Sequence, residues 1–262
     1  MLKGVTGAGR VVRALLLAAA APMGTVGASA QAPEMVTDRP DQTESATVVP
    51  RGLLQVETGY LFARDGRVHR HAGPGTLFRI GLGGRMELRV GHAGIVREEG
   101  RRGAGDSELG AKINLIPHAD GWRPELALLG GLSLPTGDHG FSSDGADPTF
   151  LVAFAHELRP GLSLGYNAGA AWQSSARPAD RDAFIVYSVA LGVGLTDRLG
   201  TFFEFFGDRQ VTGTVASSAS VDTGLTLLLS DVLQLDFSAG RRLHGPTPDR
   251  FVGAGVSFRL PQ

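Results

Sequence analysis

The sequence contains no cysteine and almost no lysine, since Lys3 and Lys112 are the only lysines among its 262 residues. Without cysteine the chain has no disulfide framework, no thiol nucleophile and no thiolate metal site. Arginine therefore supplies almost all of the positive charge. Soluble domains usually cover the polar faces of their strands with lysine and glutamate, whereas the polar positions here carry glycine, serine, glutamine and isolated charges.

Long hydrophobic runs are also missing. Residues 1–30 are typical of a secretory signal peptide, with a basic start, a short apolar run at 14–21 and an A-x-A cleavage site ending at Ala30. A transmembrane anchor, the alternative, would need an apolar run of roughly 18 residues. No later stretch is long and apolar enough for a membrane helix. If the mature protein meets a membrane, it does so through strands.

The mature chain is mildly acidic. Cleavage removes three of the 25 basic residues and no acidic ones, which leaves 22 basic residues against 26 acidic residues, a net charge of −4. This balance lacks the basic footprint of a nucleic-acid-binding protein, so no nucleic-acid partner is expected.

Strict alternation begins at Leu53. Leu54, Val56 and Tyr60 fall on one face of this stretch, and Gln55 and Glu57 fall on the other. A period of two predicts a strand with one apolar and one polar face. The same pattern recurs to the end of the chain, and we count about twelve strands.

The predicted connections alternate in length. Short connections are predicted at 83–84, 117–121, 159–161, 196–200 and 230–231. Long connections are predicted at 65–75, 92–105, 135–148, 174–182, 207–217 and 241–248. Short periplasmic turns, longer external loops and an even number of strands are typical of outer-membrane barrels. The predicted fold is therefore all-β, an antiparallel up-and-down transmembrane β-barrel at residues 53–262.

The polar rows are predicted to line the lumen. A basic side chain facing lipid at the bilayer midplane costs roughly 2–4 kcal/mol, and a protein with many such side chains could not fold. The predicted lumen residues are Gln55, Glu57, Arg79, Glu87, Arg89, Glu108, Lys112, Asn114, Glu125, Glu204, Asp222, Asp236 and Arg259. They could form a charge-lined path for solutes or a network of ion pairs that closes the lumen, and the sequence favours neither.

An irregular segment at 31–52 precedes the first strand. Its charged residues have no apolar face with which to fold alone, and a buried charge is tolerated when it is paired. We place residues 31–52 at the periplasmic mouth or in the lumen and predict that residues 37–45 enter the periplasmic mouth and restrict it as a gate; the alternative is a mobile tail. The predicted gate residues are Asp38, Arg39, Pro40, Asp41 and Glu44.

Three motifs carry a resemblance to a known family. The opening run TDRPDQTES is followed by VVPRGLLQVETGY, then by PELALLGGLSLPTGD at 124–138 and EFFGD at 204–208. Together they resemble the bacterial outer-membrane transporter family named for the MetA pathway of phenol degradation. The resemblance implies a β-barrel and a transport role, with passive passage of small compounds, aromatic or other hydrophobic ones among them.

Sites of other kinds find little support in the sequence. His69 and His71 have alternate spacing that could present two metal ligands, but a solvated pair on an exposed loop is favoured. No serine is paired with a histidine in strand register, so we predict no enzymatic activity, and no metal or cofactor is expected.

The remaining functional alternatives are a purely structural barrel, a soluble periplasmic lipocalin-like binding protein and an outer-membrane lipid hydrolase. The expected partners are outer-membrane lipid, a small-molecule solute and, during biogenesis, the outer-membrane assembly machinery. We expect a monomer in the cell outer membrane.

Overall fold

The computed structural model describes residues 35–119, 121–143, 145–174, 181–213 and 215–261, and the predicted signal peptide lies outside them. Regular structure within these residues consists of strands alone. No described helix is long and apolar enough to cross a membrane. The strands are β1 (Leu53–Asp65), β2 (Val68–Gly83), β3 (Met86–His92), β4 (Ile95–Glu98), β5 (Arg101–Ala104), β6 (Ser107–Ile116), β7 (Glu125–Leu134), β8 (Asp147–Arg159), β9 (Leu162–Ser174), β10 (Arg181–Gly194), β11 (Leu199–Thr212), β12 (Ser218–Ser230), β13 (Leu233–His244) and β14 (Arg250–Pro261).

Twelve of the fourteen strands close into a barrel. Neighbouring strands are antiparallel and follow one another along the chain, and β14 returns to pair with β1, where Leu54 lies opposite Leu260. The other two strands, β4 and β5, form a hairpin that pairs with the outer part of β2. The predicted up-and-down barrel of about twelve strands is confirmed.

The two ends of the barrel carry different connections. At one end the connections lie at 84–85, 117–124, 160–161, 195–198 and 231–232, and we call this the short-turn end. The opposite end, which we call the long-loop end, includes the connections at 93–106 and 135–146. The hairpin of β4 and β5 stands at the long-loop end. Its two-residue turn places Glu99 and Gly100 at positive φ, as a type I′ turn requires.

One predicted long loop is wrong. The connection expected at 65–75 is only a two-residue turn at 66–67, and β2 begins at Val68. The first residues of β2 escaped prediction because His69, Arg70 and His71 put polar side chains on both faces, which removes the alternation that marks a strand. Strands β11 and β13 likewise extend further than predicted.

The barrel is apolar outside and polar inside. Phe150 and Phe203, both 58% exposed, belong to the outward rows. The largest fully buried side chains include Arg79, Lys112 and Gln55. A water-soluble barrel would have the opposite distribution, whereas an outer-membrane barrel presents its apolar rows to lipid. This distribution contradicts the lipocalin-like alternative.

Strand β11 is the one whose alternation is poorest, because it carries aromatic rings on both faces. Phe203 and Phe205 are exposed on the outside, while Phe202 is buried in the interior beside Glu204. Gly224 on β12 makes room for the Phe202 ring, since a Cβ atom at Gly224 would lie 2.5 Å from a carbon of that ring. Phe202 therefore places an aromatic ring within the polar lining of the interior.

Candidate functional site

Residues 35–50 lie inside the barrel, and we call this segment the plug. It forms no strand, so its backbone amides depend on side chains of the barrel wall. The amide of Asp38 donates to Glu57 (3.0 Å), and that of Val49 donates to Glu87 (2.7 Å). The amide of Gln42 donates to Glu204 (2.8 Å). The inward carboxylates therefore hold the plug in place.

Asp38 is the centre of the largest charge cluster. Its carboxylate lies 2.6 Å from Arg89, 2.9 Å from Lys112 and 3.1 Å from Arg79. Burial alone would raise the pKa of Asp38, but the three cations outweigh burial and hold that pKa well below its ordinary value. Arg89 also binds both oxygens of Glu44, at 2.9 Å each. The carboxylates of the plug thus neutralise the basic side chains on this side of the lumen.

Arg39 makes the complementary contact on the opposite side. Its guanidinium bonds both oxygens of Asp236, at 2.8 and 3.2 Å. Gly59 and Gly255 lie opposite each other on β1 and β14, and a Cβ atom at either would come within 2.4 Å of the guanidinium. Because neither glycine has a side chain, the wall can accept the arginine.

The far side of the plug meets an acidic wall. Glu204 accepts from the hydroxyl of Thr43 (2.5 Å) and lies directly opposite Asp222. Neither carboxylate oxygen of Asp222 has a hydrogen-bond partner among the described residues. Burial first, and then the charge of Glu204, raise the pKa of Asp41 well above its ordinary value. Asp38 and Asp41, three residues apart, therefore lie in opposite electrostatic surroundings.

The structure brings almost all the predicted lumen residues together in the interior. The buried ones are Gln55, Glu57, Arg79, Glu87, Arg89, Lys112, Asn114, Glu125, Glu204, Asp222, Asp236 and Arg259. Glu108 differs: it is exposed near the long-loop end, although it shares the row of Lys112. Most of the buried residues bind the plug or one another, as Arg259 does with Gln55 (2.9 Å).

Neutral contacts of the plug were missed by the sequence reasoning. Asn167 accepts from the amide of Glu44 (2.7 Å), and Ser188 bonds Thr43 (2.8 Å). Gln234 donates to Thr37 (2.9 Å). Each lies on the polar face of a strand, so alternation was enough to predict that its side chain points inward. The predicted lumen residues were selected mainly by the free-energy cost of placing a charge in lipid, and these neutral side chains carry no such cost.

Two cavities lie on opposite sides of the plug. One of about 380 Å³ opens towards the long-loop end and is lined by Arg39 and Pro40 of the plug together with Leu61, Phe206 and Phe251 of the wall. The other, of about 280 Å³, lies towards the short-turn end. Small wall residues line it, namely Ala155, Gly165, Ala190 and Gly192, with Thr43 and Glu44 of the plug. The plug lies between the two cavities.

No group of three His, Asp or Glu side chains within the described ranges could hold a metal ion. In particular, His71 bonds the hydroxyl of Tyr60 (2.6 Å), and both His69 and His71 pack against Phe62. These two histidines face outward on β2.

Comparisons with known proteins agree with the barrel. The sequence matches the family described as "Putative MetA-pathway of phenol degradation" over residues 37–260. The structure is similar to the crystal structure of the COG4313 outer membrane channel from Pseudomonas putida F1, with a TM-score of 0.64 and 12% identity, covering 81% of this chain and 97% of that one. No curated protein matches the sequence significantly.

Two porins share the fold. The NanC porin has a TM-score of 0.57 and 12% identity, covering 79% of this chain and 100% of that one. The KdgM porin has a TM-score of 0.53 and 9% identity, covering 78% of this chain and 98% of that one. At sequence identities this low, the similarity shows a shared fold alone.

Proposed function

The chain belongs to the MetA-pathway family of phenol degradation, and from that membership and the plugged lumen we propose that it is an outer-membrane channel for small compounds. The observation that carries this proposal is the cavity of about 380 Å³ above the plug. Binding sites for small molecules usually measure about 300–1,000 Å³. Leu61, Phe206 and Phe251 give this cavity an apolar lining suited to aromatic and other hydrophobic solutes.

The proposed placement follows from the two ends of the barrel. The short-turn end faces the periplasm and the long-loop end faces outward, as in outer-membrane barrels generally. The signal at residues 1–30 directs secretion to the periplasm, where the assembly machinery inserts the barrel. The proposed protein is a monomer; each of the twelve barrel strands finds both neighbours within the chain, so the barrel closes without a strand from a second copy.

Passage is passive and depends on the plug. Plug residues line both the outer and the inner cavity, which supports a plug that separates the two. A solute held above Arg39 and Pro40 therefore reaches the periplasm only when the plug shifts. The charge network around Asp38 stabilises the closed arrangement, and its partial release opens the path.

Swelling of liposomes that contain the purified protein tests this function. At about pH 8, benzoate is compared with a sugar of similar mass, and we expect faster entry of benzoate. Ala72→Phe, which fills the outer cavity, is expected to slow benzoate entry several-fold. Ala239→Phe on the outward face of β13 is the matched control and is expected to leave entry unchanged.

Two results would overturn the proposal. Absence of permeability to every small solute, in correctly folded protein, would favour a purely structural barrel. Lipid hydrolysis that a single serine substitution abolishes would favour an outer-membrane hydrolase.

A further inference from the structure

Basic residues form two aligned rows on the outer surface at the long-loop end. In the upper row, Arg241, Arg250, Arg64 and His69 lie opposite one another in turn on β13, β14, β1 and β2. In the lower row, Phe62, His71, Arg97 and Arg102 do the same on β1, β2, β4 and β5. We call the five arginines and two histidines of these rows the basic arc.

The basic arc faces the membrane side of the wall and not the lumen. Arg64 shares a strand face with Tyr60, which is 45% exposed, and Arg241 shares one with Phe237, which is 48% exposed. Arg250 follows the same face as Val252. The arc therefore begins where the outward apolar and aromatic rows end, which is the level of lipid headgroups.

The arrangement is unfavourable without an anion. Like charges directly opposite each other on neighbouring strands are destabilising, and here Arg250 has an arginine on each side while Arg97 faces Arg102. No arginine of the arc forms an ion pair with any described acidic residue. Glu98 is paired with Arg70 instead.

Asp249 neutralises the arc only in part. A hydrogen bond from the amide of Gly66 lowers its pKa first, followed by the charges of Arg242, Arg250 and Arg64. Its carboxylate is already bound by Arg242, which points away from the arc. Arg64 also donates a hydrogen bond to the carbonyl of Gly66 (2.8 Å). The other arginines of the arc form no ion pair with a described residue and are thus available to an external anion.

Part of the arc forms a cavity. Between the turn at 66–67 and the β4–β5 hairpin lies a hollow of about 490 Å³. Six basic residues line it, Arg67, His69, His71, Arg97, Arg101 and Arg102, together with the two carboxylates of Glu98 and Glu99, so basic residues outnumber acidic ones. Arginine binds phosphate through two parallel hydrogen bonds and is weakly hydrated, so it is well suited to a headgroup phosphate at a membrane surface.

We propose that the basic arc binds the phosphate groups of an anionic lipid in the leaflet at the long-loop end. The inference rests on the proposed membrane placement but is independent of solute passage. The acyl chains of that lipid lie along the apolar rows below the arc, and its phosphates lie between arginines that would otherwise repel one another.

Native mass spectrometry of the full mature protein in detergent tests the proposal. The protein is titrated with diphosphoryl lipid A, with the same lipid lacking its phosphates, and with inorganic phosphate. The wild type is expected to retain diphosphoryl lipid A preferentially, because each basic residue near a membrane surface contributes appreciably to the binding of anionic lipid. Arg97→Ala with Arg102→Ala is expected to weaken that binding roughly 10- to 30-fold.

Arg209→Ala is the matched control. Arg209 is also exposed on the outward face near the long-loop end, but its cross-strand neighbour is Ile185, so it is an isolated cation. This variant is expected to bind the lipid as the wild type does. In planar bilayers the Arg97→Ala, Arg102→Ala variant is expected to keep its conductance, which separates lipid binding from the channel proposal.

Equal retention of the phosphorylated and dephosphorylated lipids by the wild type would overturn the proposal. So would unchanged binding by the double variant while it still migrates as a folded barrel. Displacement of lipid A by inorganic phosphate at a similar concentration would assign the arc to free phosphate and would also overturn it.

Discussion

Asp38 is the residue on which docking of the plug most depends. Its carboxylate is shared by Arg79, Arg89 and Lys112, all of them buried. Removal of one partner from a buried ion pair costs about 3–5 kcal/mol, because the remaining charge is left uncompensated. We expect Asp38→Asn to release the plug. Hydrogen exchange of the amides of Gln42 and Val49 is expected to accelerate by about two to three orders of magnitude.

Asp41→Asn provides the matched control, since it is the same substitution three residues away. Burial and the charge of Glu204 raise the pKa of Asp41, so the loss of the Asp41 charge removes its repulsion by Glu204. We expect exchange of the same amides to slow, because the docked plug no longer carries a charge that burial and Glu204 disfavour. Acceleration in both variants would show that exchange reports a general loosening and not the charge of the surroundings.

The raised pKa of Asp41 also predicts a pH dependence. The docked plug takes up a proton at a higher pH than the undocked plug, whose Asp41 has the ordinary value of 3.8. Docking is therefore favoured as the pH falls from neutrality, and the gain is complete near 3.8. We expect conductance in planar bilayers to fall as the pH is lowered from neutrality towards 3.8. The fall is expected to be smaller in Asp41→Asn, and an equal fall would assign the effect to another group.

At the scale of elements, the plug occupies the lumen between the two cavities. Deletion of residues 37–45 removes the partners of Arg89, Glu204 and Asp236 and joins the two cavities. We expect a higher single-channel conductance than in the wild type. The deleted barrel must still migrate more slowly on a gel after boiling, which shows that it is folded. Unchanged conductance in such a barrel would show that the segment does not limit passage.

How far the sequence predicts the elements depends on alternation. Strands such as β1 and β6 were predictable because charged and apolar residues alternate in them. The hairpin of β4 and β5 was not, because Arg101 and Arg102 are adjacent and carry charge onto both faces. Inward direction could be inferred for Arg79 and Lys112 from the cost of placing them in lipid. The pairing of Arg39 with Asp236 could not, because it joins residues nearly 200 positions apart.

At the scale of the whole molecule, apolar rows cover the outside and charges fill the inside. Such a barrel resists detergent denaturation because all its backbone bonds close on themselves. We expect the protein in the outer-membrane fraction, with faster migration on a gel before boiling than after it. Recovery in the soluble periplasmic fraction without detergent would contradict this placement. This distribution was predictable from the sequence, because a row of charged side chains is too costly to place in lipid and must therefore face the lumen.

The plug is continuous with β1 through a short connection that ends at Gly52. It is therefore a ligand attached covalently to its own receptor, and a short tether of this kind gives an effective concentration in the millimolar range. Each undocking is followed by recapture in the same molecule, at a rate that does not depend on protein concentration. A free peptide with the sequence of residues 37–45 would have to reach millimolar concentration before it could replace the plug. The docked arrangement is thus the one to which the chain returns after each undocking, whatever the concentration of the protein.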